Sequence, residues 1–132
     1  DGTITKVRLY TSALEGGIHR VALWDYATGA MLTEEMYEWN ITAGTEGWQE
    51  FTLPTSVNVK AGTQYVVSVT CGPDAIYMKG ANQLASSIEN GNLVTYEKSG
   101  LYSTNANNAT THMPDGPTAS NYFRDVVFVP AD

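Results

Sequence analysis

QYVVSVTC, residues 64–71, is the most β-prone run in this sequence of 132 residues. Valine and tyrosine favour strands because their bulky side chains pack well on a pleated surface. An Ala-Gly-Thr turn at residues 61–63 precedes the run, and Gly-Pro-Asp at residues 72–74 ends it. Glycine and proline mark turns in this way. The run therefore predicts one strand in a series of turn-bounded strands.

Alternating apolar and polar runs recur on both sides of this strand. They include residues 3–10, 18–25, 48–53 and 121–129, and we expect Pro54 to end the third of these runs. Alternation places successive side chains on opposite faces of a sheet. Many short strands separated by turn signals are typical of a sandwich or barrel. We therefore predict an all-β, antiparallel β sandwich in a single domain over residues 1–132.

Two segments depart from this alternation. Residues 81–88, ANQLASSI, favour either a two-turn helix or an irregular crossing, because alanine and leucine are good helix formers. Residues 90–117 are rich in Asn, Thr and Gly and predict one long loop excursion. Long loops without periodicity are usually functional or mobile. We therefore look for a binding site there and at the adjoining turns.

Composition excludes several classes of partner. The formal net charge is −7, with seven Lys and Arg residues scattered along the chain. Nucleic acids are bound mainly by clustered basic side chains, so we predict no nucleic-acid partner. No apolar run approaches the roughly 20 residues of a membrane span, which predicts no membrane insertion. Cys71 stands alone, so no intrachain disulfide forms, and its place at a strand end predicts a small buried side chain.

Catalytic signatures are missing from the sequence. It has no nucleophile elbow, no phosphate-binding glycine loop and no set of zinc ligands. We therefore expect no enzymatic activity and no cofactor. A structural calcium ion stays open as an alternative, because loop residues such as Asp74 and Asp115 are suitable oxygen donors.

Aromatic residues are the remaining chemical signal, at 11% of a chain with only 16% charged residues. Sugar rings stack their C–H faces on aromatic rings, while amides and carboxylates bind the hydroxyl groups. Core packing is the alternative interpretation for each aromatic side chain. The candidate ligand-binding residues are Tyr26, Trp39, Tyr77, Tyr102 and Tyr122, with Asn105 and Asn107.

Several motifs resemble a bacterial extracellular module family, the domain of unknown function 4082. They are KVRLY at 6–10, TGAML at 28–32, GWQEF at 47–51, VNVKAGTQYVVS at 57–68 and NYFRDVVF at 121–128. The resemblance implies a β sandwich of jelly-roll type without catalytic residues. It also implies a secreted or bacterial cell-surface location, in a module excised from a larger protein whose neighbouring domains are its partners.

Two polar residues, His19 in the resembling segment GIH at 17–19 and Asp125 in NYFRDVVF, are predicted to have structural roles. Asp125 lies inside the most apolar strand, where a charge is costly unless it is paired or hydrogen-bonded. We predict that Asp125 bonds His19, Arg124 or loop backbone amides.

Two functions remain open at this point. The first is a non-catalytic carbohydrate-binding or adhesion module whose partner is a glycan or a cell-surface polysaccharide. The second is a structural spacer or assembly domain in a bacterial surface fibre or a phage virion, without a small ligand.

Overall fold

The strands fall where most of the alternating runs predict them. The computed structural model describes residues 1–105, 107 and 109–132. Within this part of the chain ten strands form, joined by turns and bends. They are β1 (Gly2–Thr11), β2 (Gly17–Asp25), β3 (Tyr37–Ile41), β4 (Gly47–Val59), β5 (Tyr65–Val69), β6 (Glu89–Asn90), β7 (Leu93–Val94), β8 (Gly100–Tyr102), β9 (Gly116–Thr118) and β10 (Arg124–Pro130).

Six of these strands form two antiparallel sheets. Sheet A has the order β10-β1-β4, and sheet B has the order β3-β2-β5. The chain passes between the sheets after β1, β3 and β4, and it returns to sheet A at β10. Two antiparallel sheets of this kind that enclose a common core form an all-β sandwich. The fold class predicted from the sequence is therefore confirmed.

The core lies between the two sheets. Alternate residues of β1, such as Val7 and Leu9, are fully buried and point toward sheet B. Val21 and Leu23 of β2 meet them from the other side. Burying such side chains stabilises the fold by roughly 1.5–3 kcal/mol each. The other buried members are Ile4, Tyr37, Ile41, Leu53, Val57, Val59 and Val69.

A second apolar layer covers the outer face of sheet B. Ala22, Trp24 and Val66 point away from the core, and a set of partly buried side chains packs on them. The Trp24 indole nitrogen donates a hydrogen bond to Ser68 Oγ at 2.8 Å. Strand β2 is consequently buried on both faces. The covering side chains are Met31, Met36, Leu101 and Met113.

The segment after β5 follows the second of its two predicted alternatives, an irregular crossing. Residues 81–86 form turns and bends, residues 87–88 have no regular structure, and no α-helix occurs among the described residues. The predicted loop at 90–117 contains two short antiparallel pairs, β6–β7 and β8–β9, although its residues 106 and 108 lie outside the described set. Strands of two or three residues are too short to leave a periodic signal. Part of the excursion packs on the rest of the molecule, since Leu101 and Met113 cover the outer face of sheet B.

Two local predictions are wrong. Strand β4 continues through Pro54, because the register with β1 shifts between Ile4 and Lys6 and Pro54 falls in that irregularity of an edge strand. Such positions tolerate proline, since no ladder hydrogen bond is lost there. Cys71 is exposed because β5 ends at Val69, two residues earlier than the alternating run.

The described part of the chain contains no helix that is long and apolar enough to cross a membrane.

Candidate functional site

Two tyrosines are in ring contact near one end of the sandwich and a third lies close to them, and we call Tyr77, Tyr102 and Tyr122 the tyrosine cluster. The ring centroids of Tyr77 and Tyr122 lie 5.8 Å apart with their planes at 66°. Burial raises the pKa of the Tyr122 phenol, and the neighbouring Tyr77 and Tyr102 raise it further. Tyr77 and Tyr102 keep nearly half of their surface exposed. The cluster therefore presents aromatic surface to solvent.

Backbone hydrogen bonds fix the segments that carry Tyr77 and Tyr122. Gly80 and Asn121 exchange two of them, at 2.8 and 2.9 Å. The Asn121 side chain donates to Gln83 Oε1 at 3.2 Å, and Leu84 N donates to Ala119 O at 2.7 Å. These contacts join the turn after β5 to the chain entering β10. The two tyrosines are therefore held by paired backbone.

A glycine positions the third tyrosine. Tyr102 pairs with Gly116 in the β8–β9 ladder, and its ring lies directly over that glycine. A Cβ atom added at Gly116 would come within 2.6–2.8 Å of the ring carbons. Any larger residue at this position would displace the Tyr102 ring.

Arg124 connects the tyrosine cluster to sheet B. Its Nε and Nη2 donate to Val69 O at 3.2 and 2.9 Å, and its Nη1 donates to Tyr122 O at 2.6 Å. Burial lowers the pKa of this guanidinium, while the neighbouring Cys71 and Glu15 act in the opposite direction. The planar guanidinium suits such fixed multiple donation. Arg124 thereby fixes the backbone of Tyr122 against the end of β5.

A fully buried pair, Glu15 and His19, lies beside Arg124. Glu15 Oε2 and His19 Nε2 are 2.9 Å apart, and His19 Nδ1 donates to Gly17 O at 2.9 Å. Because Nδ1 already carries a proton, the contact with Glu15 requires another proton between the two groups. Glu15 Oε1 has no hydrogen-bond partner among the described residues. The pair is a buried polar unit close to the guanidinium.

Of the three partners predicted for Asp125, His19 and Arg124 are wrong, and the backbone amide that it does bond lies in its own strand rather than in a loop. Asp125 points to the outer face of sheet A and is exposed. Its Oδ1 accepts a hydrogen bond from the amide of Val126, within the same strand, at 2.7 Å. An exposed carboxylate is solvated by water, so its place in an apolar strand carries no burial cost.

An open cleft of about 320 Å³ lies between the turn after β2 and the excursion. Asp115 at its edge accepts hydrogen bonds from Thr104 N and Oγ1 at 3.0 and 2.9 Å. The Thr104 amide and hydroxyl lower the pKa of Asp115. These bonds close the neck of the loop at 104–115. The cleft is lined by Thr28, Gly29, Ser103, His112, Met113 and Asp115.

The model of the family described as "Domain of unknown function (DUF4082)" matches residues 1–124 of the chain. The chain belongs to the DUF4082 family. No curated protein and no solved structure matched the chain. The matched DUF4082 region contains the whole tyrosine cluster and ends at Arg124.

The remaining candidate residues of this DUF4082 chain lie elsewhere. Tyr26 is exposed just beyond β2, and its amide donates to Gln64 O at 3.1 Å. Trp39 faces the interior and contacts Phe51 with ring centroids 5.7 Å apart, so it belongs to the core face. Asn105 and Asn107 are exposed on the loop at 104–115, where Asn105 Oδ1 accepts a hydrogen bond from Asn107 N. The structure thus groups Tyr77, Tyr102 and Tyr122 and leaves the other four residues outside the cluster.

Sequence reasoning missed a second aromatic group on the outer face of sheet A. Tyr10 contacts Trp48 on one side and Phe123 on the other, with ring centroids 5.6 and 5.9 Å apart. Lys6, Arg8 and Tyr10 are alternate residues of one run, so the sequence alone indicates that they lie on the same face of a strand. Only the strand pairing brings Trp48 and Phe123 to the same row.

The described residues contain no group of three or more His, Cys, Asp or Glu side chains arranged to hold a metal ion. Asp74 and Asp115, the two carboxylates considered for calcium, are exposed on different loops. The calcium alternative gains no support from this arrangement.

Proposed function

We propose that this chain is a non-catalytic carbohydrate-binding or adhesion module of a secreted or cell-surface protein. The observation that carries the proposal is the tyrosine cluster. It combines exposed ring surface, three phenol groups and a frame of paired backbone. Preformed aromatic surface of this kind binds sugar rings without a large ordering cost.

Charge favours a neutral glycan as the ligand. The chain carries a formal charge of −7, so it repels uronic acids and sulfated sugars at long range. The cluster itself supplies phenol groups, with the Asn121 and Gln83 amides beside it. Such groups donate to and accept from sugar hydroxyls without adding charge. We therefore propose a polysaccharide of neutral sugars.

Affinity electrophoresis tests this proposal directly. The protein is run through gels that contain mixed-linkage β-glucan, xylan, galactomannan or the acidic control polygalacturonate. We expect retardation by at least one neutral polysaccharide and none by the acidic one. Tyr77→Ala should weaken binding about tenfold, equivalent to about 1.4 kcal/mol. Tyr96→Ala removes an exposed tyrosine outside the cluster and serves as the matched control.

Two results would contradict the proposal. One is the absence of retardation by all three neutral polysaccharides. The other is retardation that is equally strong in Tyr77→Ala and wild type, provided that both have the same melting temperature.

A second candidate function, that of a spacer or assembly domain, is favoured by one observation. Ile88, Leu93, Val94 and Tyr96 are exposed on or beside the β6–β7 hairpin. Contiguous apolar surface of this kind often marks a contact between proteins. Sedimentation velocity over a range of concentrations tests this function. Association that disappears in Leu93→Ser with Val94→Ser would support it.

A further inference from the structure

A second group of aromatic rings begins at the residue that follows Tyr122 in the chain. Phe123 follows Tyr122 directly, and its ring contacts Tyr10, which in turn contacts Trp48. The Tyr10 amide donates to Phe123 O at 3.1 Å, and Tyr10 pairs with Trp48 across β1 and β4. These three rings therefore form one row across the outer face of sheet A.

An unusual backbone conformation joins the two aromatic groups. Phe123 has φ = 58°, in the left-handed region that bulky residues seldom occupy. Asn121 Oδ1 holds this conformation by accepting a hydrogen bond from Phe123 N at 2.7 Å. As a result, the rings of the consecutive residues Tyr122 and Phe123 contact different partners. Strained conformations of this kind persist where the surrounding structure enforces them, often at binding sites.

The surroundings of the row are polar but balanced in charge. The neighbouring positions on β10, β1 and β4 are Asp125, Arg8 and Glu50. Glu50 lies 3.3 Å from both Arg8 Nε and Lys6 Nζ. The Arg8 guanidinium carbon lies 4.6 Å from the centroid of the Trp48 ring. This arrangement offers hydrogen-bond donors and acceptors without an excess of either charge, which suits a ligand rich in hydroxyl groups.

The outer face of sheet A stays open to solvent. On sheet B the excursion covers the equivalent face through Leu101 and Met113. On sheet A, Trp48 keeps 43% of its surface exposed. A ligand on the tyrosine cluster can therefore extend past Phe123 onto this face.

We propose that the site binds an extended chain of neutral sugars along one aromatic belt, defined as Tyr77, Tyr122, Phe123, Tyr10 and Trp48. The inference rests on the proposed function and extends it from a local cluster to several sugar subsites. Successive rings in contact are inclined by 66°, 48° and 87°. Such inclined rings suit a single soluble chain that twists, whereas a flat crystalline surface requires coplanar rings.

A series of chain lengths tests the belt. The probes are oligosaccharides of two, four and six units made from whichever neutral polysaccharide retards the protein, with affinities measured by calorimetry. We expect the six-unit chain to bind at least tenfold more tightly than the two-unit chain. Trp48→Ala should remove most of that gain. Tyr122→Ala should weaken binding at every length.

Thr52→Ala, on the same face of sheet A but in a row away from the aromatic rings, is the control and should behave like wild type. Equal affinity at every length, or a gain that survives in Trp48→Ala, would overturn the belt while leaving the tyrosine cluster as the site. If no polysaccharide binds, the belt and the proposed function both fail. Self-association that depends on Trp48, without any sugar binding, would assign this face to a protein partner instead.

Discussion

At the scale of single residues, the buried pair of Glu15 and His19 is expected to have a large effect on stability. Both side chains are removed from solvent, and Glu15 Oε2 lies within hydrogen-bond distance of His19 Nε2, at 2.9 Å. Removing one partner of a buried pair leaves the other without its compensating charge or hydrogen bond. The cost therefore exceeds that of an exposed substitution.

We predict that Glu15→Ala lowers the free energy of unfolding by about 3 kcal/mol. Glu46→Ala, at an exposed carboxylate, should change it by less than about 0.5 kcal/mol. Urea denaturation monitored by circular dichroism measures both values. A loss in Glu15→Ala no larger than that in the control would show that the pair is not needed for folding.

A second residue-scale prediction concerns pH. Thr104 lowers the pKa of the folded Asp115 carboxyl below its ordinary value. The Asp115 carboxylate therefore contributes fully to closing the loop at pH values above the ordinary carboxyl pKa. This contribution is lost as the pH falls through the lower pKa that Asp115 has in the folded protein. We expect the amide resonance of Thr104 to shift with a midpoint below the ordinary carboxyl range. The shift should be absent in Asp115→Asn, and its persistence there would refute this assignment.

At the scale of elements, the two halves of the excursion differ in their contacts. The β6–β7 hairpin is exposed along its whole length, whereas β8 places Leu101 on the outer layer of sheet B. Replacing residues 89–94 with glycine and serine should change the free energy of unfolding by less than about 0.5 kcal/mol. Leu101→Ala should lower it by about 2 kcal/mol.

Thermal and urea denaturation of these two variants check the contrast. If the hairpin replacement proved as costly as Leu101→Ala, the hairpin would have contacts beyond those described.

Strand length explains which elements the sequence could predict. Long strands such as β1 and β2 leave several alternating residues, so their faces follow from the pattern. The pairs β6–β7 and β8–β9 leave at most three residues per strand, and they form because tertiary contacts hold them. The prediction that Pro54 ends its strand is wrong for a related reason. The register shift that accommodates Pro54 exists only because β4 pairs with β1.

The candidate site was predictable to the same extent. Tyr77, Tyr102 and Tyr122 are candidates in the sequence because they are aromatic residues outside obvious core positions, and the fold brings them close together. Trp39 was selected too, but its inward direction depends on the register of β3. Trp48 and Tyr10 were missed, because their common row depends on the register between β1 and β4. Residue type was visible in the sequence, whereas adjacency required the pairing.

At the scale of the whole molecule, β2 couples the two apolar layers. Val21 and Leu23 contribute to the core between the sheets, and Ala22 and Trp24 contribute to the layer under the excursion. Neither layer can open without exposing side chains of the same strand. We therefore predict one cooperative unfolding transition.

Urea curves recorded by circular dichroism and by tryptophan fluorescence should coincide. Trp24 reports on the layer under the excursion and Trp39 on the core, while circular dichroism reports on the sheets. A fluorescence transition at lower urea than the dichroism transition would mean that the excursion unfolds independently.

The position of Cys71 also makes this protein convenient for optical work. It is the one thiol in the sequence, it is exposed, and it lies beside Arg124, which holds the backbone of Tyr122. Desolvation raises the pKa of this thiol, with Arg124 partly offsetting the effect, so alkylation should be slow at neutral pH and accelerate in mild alkali. A fluorophore attached there would sit next to the aromatic belt and report its occupancy, without a cysteine having to be added or removed.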